Sequence, residues 1–221
     1  MANLEHLERL QQGPDAWNYW RTTSMEQPDL SGADLSGASF EFANLSGVKL
    51  DFANLEGANL KNAHLYRASL KRANLRIADL MNANLEQVDL RQASLEGADL
   101  YKAKLVEARC DRANFSKAIV RRANLSRASL RGAEGRFADF LQANLMRANL
   151  SMANFYQANL AGSNLIEANL SWANLLEVNL HKANLCRATL LQTNLCRVNS
   201  HDALFKGVTY SSEPALATSA V

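Results

Sequence analysis

From Leu30 to Tyr210 the chain places a centre at every fifth position, through 37 centres without a break in register. Leucine fills 27 of them. Two residues before each centre stands a small side chain, usually alanine, as at Ala43, Ala53 and Ala58. Asn or Asp usually lies between, as in Ala43-Asn44-Leu45 and Ala98-Asp99-Leu100. A helix does not satisfy this pattern, because five residues at ~100° each advance the stripe by ~140° and scatter it around the cylinder. A straight strand fails too, since an odd step sends every second centre to the other face. Both apolar sets turn inward only if the backbone turns a corner in each repeat. Four right-angle corners then close a square coil of about 20 residues, a repeat architecture in which each coil contacts only its neighbours.

The pattern A-[DN]-L-x-x over residues 28–211 resembles the pentapeptide repeat family. The resemblance implies an all-β solenoid, a right-handed quadrilateral β-helix of about nine four-sided coils. With coils spaced like strands at ~4.8 Å, the rod is on the order of 45 Å long. Asn and Asp suit the middle position because their side chains bond nearby backbone and favour turns.

Residues 1–27 do not repeat and are expected to form a short helical cap. Leu4, Leu7 and Leu10 share one helical face, and Gly13-Pro14 ends it. Trp17 and Trp20 then fall on one side of a second short helix. A lid is needed, since the open end of such a rod exposes unpaired backbone groups. The stretch Gly13-Pro14-x-x-Trp17-Asn18-x-Trp20-Arg21 is similar to the N-terminal segment of some cyanobacterial members of the family. At the far end Phe205 and Tyr210 supply bulk, and residues 212–221 are expected to be a flexible tail. One centre is odd: Gly135 stands where leucine belongs. A local distortion is expected there rather than a functional loop: either the coil bulges and Phe137 fills the void, or the corner is loose.

Residues 20 apart share a column, so outward positions can be indexed. Charge is uneven along them. Residues 1–60 carry 3 basic and 9 acidic side chains, residues 101–150 carry 11 and 4, and the whole chain is at +2. The middle belt includes Arg112, Arg122, Arg127 and Arg147, candidates for an anionic partner. Few aromatics interleave with them, which disfavours single-stranded nucleic acid. The C-terminal third turns apolar on its outside, with Met146, Met152, Tyr156, Ile166, Trp172 and Leu176 as candidates for self-association, as in a homodimer, or for docking another protein. His181 and His201 share a column beside Asp202, but no further ligand converges, so no metal is expected.

No phosphate loop, HExxH or nucleophile elbow is present, and a convex rod offers no cleft. Neither an enzyme nor a cofactor is expected. Some members of the family mimic DNA and bind gyrase, which calls for an acidic rod; the basic middle argues against that role here. A rod-like scaffold for an as yet unknown protein partner is the reading that remains. Cys186 and Cys196, ten residues apart, should sit on opposite faces, beyond the ~7 Å limit for a disulfide. Free thiols, the lack of a signal-peptide core and the lack of an apolar run of membrane length point to the cytoplasm rather than a membrane.

Overall fold

A computed structural model describes residues 2–211; the expected C-terminal tail lies outside the described residues. Two helices open the chain, α1 (Leu4–Gln11) and α2 (Pro14–Thr23). Asn3 caps α1, its side-chain oxygen accepting from the Glu5 and His6 amides. Gly13 reaches φ 100°, a conformation that glycine tolerates, and Pro14 starts α2 with its φ already helical.

Beyond Asp29 the backbone pairs with itself at a fixed spacing. Parallel bridges join Asp29 to Lys49, Asp34 to Asn54, Ser39 to Asn59 and Asn44 to His64, and this continues to Asn184 and Leu204. The last pair widens into two short strands, β1 (Thr189–Leu190) and β2 (Thr209–Tyr210), with Thr189 opposite Thr209. Each bridge spans twenty residues and holds one five-residue repeat against the next coil, so a coil has four turns. The ladder is regular: the Leu45 amide donates to the His64 carbonyl at 2.7 Å, and the His64 amide to the Ala43 carbonyl at 2.9 Å.

Every turn has the same form. The amide two residues before the next centre closes back on the previous centre, as Ala53 does on Leu50 at 3.1 Å. The third turn residue is left-handed at each corner from Gly32 to Gly207, whether or not it is glycine. This matches a type II turn, which ordinarily favours glycine there. Ile77, β-branched and at φ 50°, is the most strained in kind. Where Asn precedes a centre it completes the corner: Asn144 Oδ1 accepts from the Met146 amide at 3.2 Å, and Asn174 Nδ2 donates to Asn154 Oδ1 in the coil before at 3.0 Å.

The core is a dry column. Leu50, Leu90, Leu130 and Leu170 are fully buried, as are Ala63, Ala103 and Ala183. Each leucine withdrawn from water contributes ~1.5–3 kcal/mol. The helices close the first coil with hydrogen bonds as well as bulk. Trp17 is fully buried, and its Nε1 donates to the Asn44 carbonyl at 2.8 Å. Asn18 Oδ1 accepts the Asn44 amide at 2.7 Å, Arg21 donates to the Ser46 carbonyl at 2.8 Å, and the Asn3 amide donates to the Asp29 carbonyl at 2.8 Å. These cap groups take over the bonds that a preceding coil would make. The other end is looser: Leu195, Val198, Phe205 and Tyr210 are only half-buried.

Two expectations are corrected. Leu4 does not pack inward with Leu7 and Leu10; it is 74 % exposed, and His6 is buried instead. The His6 ring accepts the Asp29 amide at Nδ1, contacts Glu26 through Nε2 at 3.1 Å and lies 5.4 Å from the Trp20 ring. Polar groups at the rod end need partners, which a leucine cannot supply. At Gly135 the ladder is undistorted, with its amide 2.7 Å from the Asn154 carbonyl. Phe137 is exposed, its ring 5.6 Å from Tyr156. The space is taken from within by Phe155 of the next coil, packed 5.2 Å from Phe140.

Candidate interaction surface

The turn geometry sorts the outward side chains into two kinds. The first residue after a centre lies along the coil and is mostly half-buried. The second, left-handed, projects from the corner and is mostly exposed. Met146, Tyr156, Ile166 and Leu176 are of the first kind and half-buried. Met152 and Trp172 are of the second, at 57 % and 64 % exposed.

The ten candidates spread over all four corners. Arg112, Met152 and Trp172 share one. Met146, Ile166, Arg127 and Arg147 share a neighbouring one. Tyr156 and Leu176 lie on the corner across from that second group. Arg122 lies across from the first. The structure therefore brings together three of them in a single column.

Charge is also redistributed. Arg127 pairs with Glu107 at 3.5 Å, and Arg147 with Glu167 at 2.7 Å. The hydrogen bond and charge of Arg147 hold the Glu167 carboxyl below its ordinary range, and Arg187 adds to this. Arg122 donates to the neutral Gln142 at 2.9 Å. Arg112 makes no ion pair among the described residues.

Arg112 lies in a groove that runs along its corner. Two hollows of about 330 and 400 Å³ meet at Arg91 and Gln92. The first is bordered by Phe52, Lys71 and Arg72, with Arg72 stacked 5.6 Å from the Phe52 ring. The second is bordered by Arg112, Arg131, Gly132 and Met152, with Asp111 in its wall. Gly132 leaves the opening, since an added Cβ there would come 3.6 Å from Arg112 Cγ. Arg131 reaches the Met152 sulfur at 3.8 Å. Trp172 stands one coil beyond Met152 in the same column. Lys71, Arg72 and Arg91 were missed as candidates because they precede the most basic stretch; the signal that marks them is the 20-residue spacing, which puts Arg72 in the column of Arg112 and Lys71 and Arg91 in the adjacent column of Arg131.

His181, His201 and Asp202 gather on the corner across the rod from this groove. Cys110 is buried, with its thiol pushed far up by burial; Cys186 is half-buried and Cys196 exposed, and all three are free. Among the described residues no helix is long and apolar enough to cross a membrane.

Comparison with known proteins places this architecture. The pentapeptide repeats family model matches in eight copies across residues 23–199. The chain belongs to the pentapeptide repeat family. It is similar to HetL, a pentapeptide repeat protein involved in heterocyst differentiation regulation from the cyanobacterium Nostoc sp. strain PCC 7120. The two are 30% identical over 95% of this chain and 94% of HetL, with a TM-score of 0.54. The fold is shared with QnrB1, a plasmid-mediated fluoroquinolone resistance protein, at 15% identity, 82% and 93% coverage and a TM-score of 0.62. No curated protein sequence matches the chain significantly.

Proposed function

We propose that the chain is a non-enzymatic interaction rod whose working edge is the corner column from Phe52 to Trp172, grooved from Phe52 to Met152. It serves an acidic protein partner, with Arg112 as the available cation and Met152 and Trp172 as the apolar anchor. The observation that carries this reading is the contrast between arginines. Those at 127 and 147 are held in ladders with glutamates, whereas Arg112 makes no ion pair among the described residues and stands beside Gly132 and two exposed apolar side chains. Exposed Trp and Arg are the side chains most often found to dominate protein interfaces. The backbone supporting them is a right-handed quadrilateral β-helix over residues 28–211, with residues 1–27 as its cap.

A DNA-mimicking role at a topoisomerase is the weaker alternative. It requires acidic columns along the rod, and residues 101–150 carry 11 basic against 4 acidic side chains. Affinity capture from the native host tests the proposal. Wild-type protein should retain a partner that an Arg112→Glu/Trp172→Asp variant loses, while Arg147→Glu keeps it. Identical capture by wild type and the double variant would refute the docking edge.

A further inference from the structure

Across the rod from the groove, the last two coils carry a group of side chains with no part in the docking edge. We propose that His181, His201 and Asp202 form a binding site for a divalent transition-metal ion of the zinc type, joining the final coil to the one before it.

The two imidazoles come from equivalent positions one coil apart, and they stack with ring centroids 5.4 Å apart and planes 4° from parallel. His181 Nδ1 lies 3.0 Å from the His201 carbonyl oxygen. A carbonyl only accepts, so Nδ1 carries the hydrogen and Nε2 is the nitrogen left to bind an ion. A backbone carbonyl holding the far nitrogen is the arrangement that orients histidine ligands in metal sites and raises their basicity. His201 Nε2 lies 3.5 Å from Asp202 Oδ2, which places a nitrogen and a carboxylate oxygen side by side. One donor atom from each of the three residues falls within 4.8 Å of the others.

A tetrahedral ion with bonds of ~2.0–2.2 Å needs its ligands ~3.3 Å apart. The set must therefore close by up to roughly 1.5 Å, and the His201 ring must turn out of the stack, because two near-parallel rings cannot both aim their in-plane lone pairs at one ion. The side chains are free to do so, since those of His201 and Asp202 are 61% and 49% exposed. The backbone supplies the order: Asp202 is held at φ 59° by its corner, and the Lys182 amide bonds the His201 carbonyl at 2.9 Å. Two imidazoles and one carboxylate suit zinc, nickel or copper and leave a position open to water. Lys182, one coil before Asp202 in its column, is the cation that opposes the ion.

The placement gives the site a purpose. The coil that carries His201 has a serine centre, Ser200, and half-buried apolar residues where earlier coils have fully buried ones. A metal bridging positions 181 and 201 clips this weakest coil to its neighbour, and ion binding to the folded state alone stabilises it by mass action.

The test uses untagged full-length protein, stripped with EDTA and carrying Cys186→Ser/Cys196→Ser so that no surface thiol competes. Zinc is titrated by isothermal calorimetry and thermal unfolding is followed with and without it. One equivalent should bind per chain and raise the unfolding midpoint. His181→Gln and His201→Gln, both at exposed or half-exposed positions, should each weaken binding at least about tenfold and abolish the shift, with unchanged circular dichroism. Absence of saturable zinc binding would overturn the proposal. So would equal binding by the His181→Gln/His201→Gln double variant.

Discussion

Phe155 occupies the room that a side chain at Gly135 would need: a Cβ there would lie 2.8 Å from the Phe155 ring. The missing leucine of one coil and the oversized centre of the next are thus two halves of one packing solution. Gly135→Leu should destabilise the rod by about 1–3 kcal/mol through overpacking. Adding Phe155→Leu should recover much of the loss, a coupling that a double-mutant cycle in urea measures directly.

Ser163 stands in an alanine position, 1% exposed, with no partner for its hydroxyl among the described residues. Ser163→Ala removes a buried unsatisfied group at almost constant shape. It should stabilise the protein by about 1 kcal/mol in chemical denaturation.

Trp17 carries both the bulk and the indole donor of the cap. Trp17→Ala should cost about 3–5 kcal/mol, with the Asn44 carbonyl left exposed. Because repeat arrays unfold from weakened ends, hydrogen exchange should rise first in the coil containing Leu30 to Leu45. Light scattering should report growing association as the edge opens.

Asp89 predicts the acid limb of stability. Its burial disfavours ionisation, but hydrogen bonds from the Arg91 side chain and backbone, with the charges of Arg91 and Arg109, outweigh this and leave the carboxyl below its ordinary value. Arg91 approaches at 2.6 Å and Arg109 at 3.7 Å. A lowered folded pKa gives stability that is present above the unfolded value of about 4 and lost as pH falls through the folded one. Asp89→Asn should therefore lower stability at neutral pH and flatten its decline below about pH 4, as followed by thermal melts across pH.

The inward half of the molecule was legible in the sequence because the constraint on it is simple. Leu50 and Ala53 have no alternative to the core once the five-residue register is seen, and the column rule placed Met152 beneath Trp172. The outward half was less so. The register separates Met146, first after its centre, from Met152, second after its own, but not that the first lies half-buried along the coil while the second projects from the corner; the left-handed turn residue makes that difference. The pairing of Arg147 with Glu167 depends on side-chain reach across coils. Phe155 filling the space at Gly135 depends on shape within the core, twenty residues away. His6 replaced Leu4 inside because the first coil presents amides that require acceptors, a demand visible only from the end of the rod.

The twenty-residue coil separates two kinds of change in length. Inserting or removing one repeat keeps every centre and every ladder bond, yet turns all downstream columns by a quarter revolution. Trp172 would then leave the line of Arg112 while the core beneath it stayed whole. Only steps of twenty restore the alignment. The surface of this protein thus has a phase that its stability does not sense, so that relatives equally well folded can present the same side chains in different compass directions.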